Sequence, residues 1–208
     1  MNAERLQIKE HRASRAMATR QRIIETGLRL FSKKGFLGAT TREIARESGV
    51  AEITLFRHFP TKQALFEEVI SRYSFLPALR DLLPEISDMP YEKGLAAIAR
   101  KFLETLSLRK DMIRIMMSEI HRYPEQMQRV YNSLIDEVIK TLASYFEEMQ
   151  RKRILSRFDA EMGARAFLGM FFSYFNAQEF KMRRKFTGDD TERTIKEYIR
   201  IFSKGTKR

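Results

Sequence analysis

Cysteine is absent from the 208 residues, which removes disulfides, thiolate metal ligands and sulfur nucleophiles at once. There are only three histidines, His11, His58 and His121, and their spacing supports no zinc site. No apolar run approaches the ~20 residues that span a bilayer. The N-terminus carries charges but no apolar leader segment, so a cytoplasmic protein that does not enter membranes is expected. Also missing are a glycine-rich phosphate loop, a carboxylate pair, a catalytic triad and any recognisable metal cluster. No enzyme, cofactor or metal is therefore expected. Period-2 alternation is absent too, which leaves an all-α chain.

What is abundant is positive charge. The formal net charge is +12, and residues 1–62 hold 13 Lys/Arg against 6 Asp/Glu. A basic N-terminal third suits a polyanion, whose phosphates it neutralises with release of counterions.

Within that basic third lies the segment Thr40–Phe59, which has the pattern of two short helices across a tight turn. Thr40 and Glu43 have the spacing of a capping box, each side chain able to bond the other's backbone N–H. Ile44 and Ala45 follow on one face, and Ala45 is small enough for a second helix to cross close by. Gly49 falls where a left-handed cap favours glycine. Val50, Leu55 and Phe59 then begin a second apolar face. This is a helix-turn-helix, a unit that places its second helix in the DNA major groove.

The flanks extend the pattern. Ile23, Phe31 and Gly35 give I-x7-F-x3-G before the motif, and Thr40, Ile44, Ala45, Gly49 and Val50 give T-x3-I-A-x3-G-V within it. Leu55, Phe56, His58, Phe59, Lys62 and Leu65 supply L-[YF]-x-[YH]-F and K-x-x-L after it. On these residues, 20–69 resembles the DNA-binding domain of the tetracycline-repressor (TetR) family of transcriptional regulators. The resemblance implies a C-terminal body that binds a small ligand and forms a homodimer through its last two helices. Three positions depart from the family pattern: Ala51 for Ser, Ile53 for a small residue and Phe56 for Tyr.

Along the chain, residues 1–18 form a basic arm, either mobile or an extension of the first helix. A helix over 19–34 carries Ile24, Leu28 and Phe31 in register and stops at Gly35. After the motif, Pro60 and Thr61 open a helix from Lys62 to about Phe75. Pro77, Pro84 and Pro90 mark 76–90 as irregular, so a domain boundary is expected there. The expected domains are therefore 1–18, 19–75 and 76–208. Helices follow over about 91–108, 110–122, 124–152, 159–183 and 189–202, for about nine in all.

Helix-turn-helix geometry puts Arg42, Glu52, Ile53, Thr54 and Arg57 at base edges. Arg can bond guanine, Glu can accept from cytosine, and Ile or Thr methyls can pack on thymine methyls. Glu52 can instead serve only to favour the start of its own helix. Thr40, Thr41, His58 and Lys62 are the expected phosphate contacts. For Lys62 the reason is that a cation in a first helical turn opposes the macrodipole by about 0.3–1 kcal/mol, a cost that a phosphate would offset. For His58 the reason is its match to a family position that touches phosphate, the alternative being packing on Phe36 or Phe59.

In the body, the helix from Asp159 is apolar over more than half its circumference and needs cover on nearly all sides. With the last helix it can form a four-helix seam across a two-fold axis, using Gly163, Ala164, Phe167, Met170, Tyr174, Ile195, Tyr198 and Phe202. Phe102, Leu106, Met112, Met116, Met117, Tyr131, Leu134, Phe171 and Phe175 are candidate lining for an apolar effector pocket, and equally candidate core. The function read from the sequence is a homodimeric repressor of palindromic double-stranded DNA, released by a small, mostly apolar ligand. A ligand-independent or protein-gated DNA binder is the alternative.

Overall fold

Helical periodicity becomes ten α-helices among the residues described by the computed structural model, 2–181 and 188–208. The only bridge of sheet type among them is the isolated pair Leu155–Lys207. In chain order the helices are α1 (Asn2–Gly38), α2 (Thr41–Glu47), α3 (Glu52–His58), α4 (Lys62–Tyr73), α5 (Phe75–Ile86), α6 (Tyr91–Leu108), α7 (Lys110–Glu119), α8 (Glu125–Arg151), α9 (Ala160–Asn176) and α10 (Gly188–Thr206). A 3-10 turn, Ile120–Arg122, follows α7, and a π-helical segment, Ala177–Lys181, follows α9. The end of the helix expected over 159–183 lies partly outside the described residues.

Two compact units result: Met1–Arg72 with Asp111–Val130, and Tyr73–Lys110 with Tyr131–Arg208. This corrects the domain division expected from the sequence in three respects. First, 76–90 is not an irregular linker. Helix α5 occupies most of it, because Pro77 falls in the first turn, where a missing N–H costs nothing. Ser74 caps that helix by accepting from the Leu76 N–H at 3.2 Å, and burial of Phe75, Leu76, Leu79 and Ile86 outweighs the kink that Pro84 invites. Second, 111–130 belongs with the N-terminal unit, where Met112, Met116, Tyr123 and Met127 are buried. Third, residues 2–18 are helical and continuous with α1, so the second of the two readings of the arm applies.

In the first unit, Ile23, Ile24, Phe31, Ile44, Leu55, Leu65, Phe66 and Val69 form a core with almost no exposed surface. The helical run of α1 is broken at Gly35, whose φ of 71° and ψ of 176° are open essentially to glycine alone. Phe36 then turns inward to meet Phe66 at 5.1 Å and Tyr123 at 5.7 Å between ring centroids.

The second unit is built around an aromatic cluster. Phe167 on α9 lies 5.2 Å from Phe202 on α10 and 5.1 Å from Phe171, and Phe146 on α8 lies 5.7 Å from Phe202. Such edge and tilted pairs add to the burial of large apolar surface. The end of α10 is tied back by Ser156, whose N–H and hydroxyl both donate to the Thr206 carbonyl at 2.9 Å.

Candidate nucleic-acid interface

The turn between α2 and α3 is held by backbone bonds that the sequence makes available. Gly49, at φ +70°, lets its own N–H reach the Arg46 carbonyl at 3.1 Å, while the Val50 N–H reaches Ala45 at 3.0 Å. These two bonds make a Schellman cap. Thr40 accepts from the Glu43 N–H at 3.2 Å, so half of the expected capping box forms. The reciprocal half is not what holds Glu43, whose carboxylate takes the Lys34 ammonium at 2.6 Å. An ion pair across two helices is the stronger attraction for that carboxylate.

On this frame α3 buries Leu55 and presents its other side to solvent. Ile53 is 73% exposed and Phe56 40% exposed, with Arg57 exposed beside them. Thr54 is half-buried. Glu52 is half-buried as well, and its carboxylate accepts the Thr41 hydroxyl at 2.7 Å. That bond joins the first turns of α2 and α3 and uses the Thr41 proton internally. It gives the Thr41 hydroxyl an internal acceptor in place of a phosphate and agrees with the local reading of Glu52. Arg42 and Arg46 are exposed on α2. Arg42 and Arg57 have no carboxylate partner among the described residues, whereas Arg29, Lys34 and Arg20 pair with Glu47, Glu43 and Glu68. Arg46 lies 3.7 Å from Glu47, so Arg42 and Arg57 are the arginines of α2 and α3 that keep their charge without a carboxylate partner among the described residues. Thr40 is exposed, and His58 is half-buried at the last turn of α3.

Lys62 also has neighbours within its own unit. Its ammonium lies 4.5 Å from the centroid of the Phe36 ring, and burial lowers its pKa while the Glu119 carboxylate opposes that effect. A cation–π contact and a nearby carboxylate therefore offset the unfavourable place in the macrodipole, without a phosphate. Glu119 itself lies against the backbone of Gly35 and accepts the Tyr123 hydroxyl at 3.2 Å. Burial pushes that phenol up to about 12. Nothing in the sequence announced this cluster, since Gly35, Lys62 and Glu119 are far apart in the chain. Phe56 was legible, because it stands three residues after Ile53 and so shares its face.

The residues expected to form the dimer seam are in large part core of the second unit. Ala164 and Phe167 have no exposed surface, and Ile195, Tyr174 and Phe202 are buried. Gly163 receives the Phe158 ring, Tyr198 packs on Phe171 at 5.5 Å, and Met170 is half-buried. The exposed stripe of α9 is instead Met162, Ala166, Gly169 and Ser173, and on α10 it includes Ile201 and Gly205. Counting apolar residues on a helix finds the buried face first, and most of the eight lie on that face.

The nine residues offered as an effector pocket do not share one unit. Met112, Met116 and Met117 belong to the first, with Met117 46% exposed. Phe102, Leu106, Tyr131, Leu134, Phe171 and Phe175 belong to the second, where Phe102, Leu106, Phe171 and Phe175 are buried. A groove in the second unit runs between α6 and α10, and none of the nine lines it. Among the described residues, no three or more His, Asp or Glu are grouped to hold a metal ion, and no helix is long and apolar enough to cross a membrane.

Comparison with known proteins gives two family matches. Residues 23–69 match the model for bacterial regulatory proteins of the tetR family, and residues 93–204 match the C-terminal domain of AefR-like transcriptional repressors. The HTH-type transcriptional regulator YvkB of Bacillus subtilis is 32% identical over 160 residues, 76% of this chain and 81% of the relative. Among solved structures, a TetR-family transcriptional regulator from Mesorhizobium loti superposes with a TM-score of 0.80 at 22% identity, over 93% of this chain and 99% of the other. The flavonoid-responsive regulator FrrA gives a TM-score of 0.72 at 26% identity, over 91% and 97%.

Proposed function

Because the chain belongs to the TetR family, whose members are DNA-binding transcriptional regulators and not enzymes, we propose that it acts as a homodimeric repressor released from its operator by a small, mostly apolar effector. The observation that carries the DNA half of this reading is the uncovered outer side of α3, flanked by Arg42, Arg46 and Arg57. Arg42 and Arg57 are the charged groups for bases or backbone, with Thr40 and His58 toward phosphate. A seven-residue recognition helix makes a small contact, and two copies on half-sites one DNA turn apart add their binding energies.

The second copy is placed on the exposed stripe of α9 and α10. Ala166, Gly169 and Gly205 are small enough there for close helix approach, and Met162 and Ile201 are apolar surface in need of cover. The effector belongs to the second unit. The relative that responds to flavonoids supports an aromatic, mostly apolar molecule with a few polar groups. The chain passes between its units at 72–73, 110–111 and 130–131. An effector that binds one arrangement of these crossings better than another shifts DNA affinity by that difference and no more.

Fluorescence anisotropy with the DNA upstream of its own gene tests the core of this reading. For 6–10 phosphate contacts, affinity is expected to fall about 10³–10⁵-fold between roughly 50 and 200 mM salt. Failure to bind any fragment of the source genome at low salt would refute it.

A further inference from the structure

The outward face of α3 is chemically unusual for a surface that discriminates bases. Of its seven residues, Leu55 is buried, Glu52 is bonded to Thr41 at 2.7 Å, and Thr54 and His58 are half-buried. What stands clear is Ile53, Phe56 and Arg57. At 73%, Ile53 is the most exposed large apolar side chain among the described residues. Phe56, one helical turn further on, extends the same ledge. Ala51, the residue capping the helix, offers no polar side chain. The carboxylate that would read cytosine is thus tied down, and apart from Arg57 the surface left to meet base edges is hydrocarbon.

Exposed isoleucine beside exposed phenylalanine is a patch that requires an occupant, and its surroundings select one. Arg57 is exposed on the same short helix and Arg42 on the preceding one, neither with a carboxylate partner among the described residues, so the positive charge of this helix pair draws in a polyanion rather than an apolar protein surface. Within a DNA major groove only one base edge carries a hydrocarbon group, the 5-methyl of thymine.

We propose that the chain recognises its operator chiefly through thymine 5-methyl groups, packed against Ile53 and Phe56, with Arg57 supplying the charged contact. This rests on the DNA-binding reading above and adds the chemistry by which the site is chosen.

The experiment starts with selection of bound duplexes from a random pool by the full-length protein, with thymines expected at symmetric positions of the two half-sites. Those thymines are then replaced by deoxyuridine, which removes only the methyl. Affinity should weaken about fourfold for one half-site and about fifteenfold for both, the value expected for one buried methyl-sized group per site. Ile53→Ala should discriminate less between the thymine and uracil duplexes, Ile53→Val should keep most of the difference, and Ile53→Ala combined with Phe56→Ala should bind the two alike. None of these variants should change the salt dependence, because no charge is altered. Sequence-selective binding by the unaltered protein that is indifferent to the methyls would overturn the proposal and leave the DNA-binding reading standing. So would an Ile53→Ala, Phe56→Ala double variant that still distinguishes thymine from uracil as the unaltered protein does. No duplex bound at low salt would remove both.

Discussion

Replacing Gly35 by alanine tests whether the Gly35–Glu119 contact is a real constraint on the DNA-binding unit. Two costs are expected. At φ 71° and ψ 176° an L-residue is strained by about 1–3 kcal/mol. In addition, a Cβ built on Gly35 would stand 2.6 Å from Cδ of Glu119, so the carboxylate must move. Its movement takes away the acceptor of the Tyr123 hydroxyl, and loss of a partner for a buried phenol costs about 1–3 kcal/mol more. The single variant should therefore lose about 2–6 kcal/mol. In a Glu119→Ala background the clash is gone and only the backbone strain remains, so the same change should cost about 1–3 kcal/mol. Urea unfolding followed by circular dichroism, with hydrogen exchange to locate the loss in α1 and α4, gives the four corners of the cycle. Gly49→Ala is the control: its φ is +70° but no atom lies within 4 Å of the added carbon, so strain alone applies. Equal costs of Gly35→Ala in both backgrounds, within about 0.5 kcal/mol, would refute the contact.

Other expectations follow from the same geometry. Arg57→Ala should reduce the slope of log affinity against log salt by about 1, whereas Lys62→Met should leave the slope unchanged and lower stability, because its ammonium faces Phe36 and Glu119. A Lys62 variant with a reduced slope would restore its phosphate role. Ile201→Glu should convert the dimer to folded monomers in sedimentation and weaken DNA binding, while a dimer that persists would place the seam elsewhere. Arg20, bonded to Glu68 at 2.9 Å, holds that carboxyl below the usual range. Its contribution to stability is present above about pH 4.3, the ordinary glutamate value, and is lost as pH falls through the lower folded value. Glu68→Gln should flatten the acid limb of the thermal midpoint against pH, and an unchanged limb would contradict the assignment.

Periodicity and caps determined most of the helices, including the turn at Gly49, because bonds between near neighbours along the chain decide them. The recognition surface was legible for the same reason: once Leu55 faces the core, Ile53 and Arg57 must face away. Composition likewise found the apolar helix near the C-terminus. It could not say which of two apolar sides a partner helix of the same chain covers, and the structure turns Ala164 and Phe167 to the interior of the second unit.

Tertiary structure alone decided which polar groups are already used. Thr41 lies eleven residues from Glu52, and Lys62 is far along the chain from both Phe36 and Glu119. Such pairings depend on how helices cross, a property of packed volume rather than of local pattern. The prolines around 76–90 show the converse: local signals pointed to a break, and burial of four apolar side chains on α5 overruled them. The sequence by itself determined a helical DNA-reading unit and its outward face. Only the packed structure settled which residues on that face are free to meet another molecule, because a hydrogen bond or a covered surface needs two partners that the linear order does not bring together.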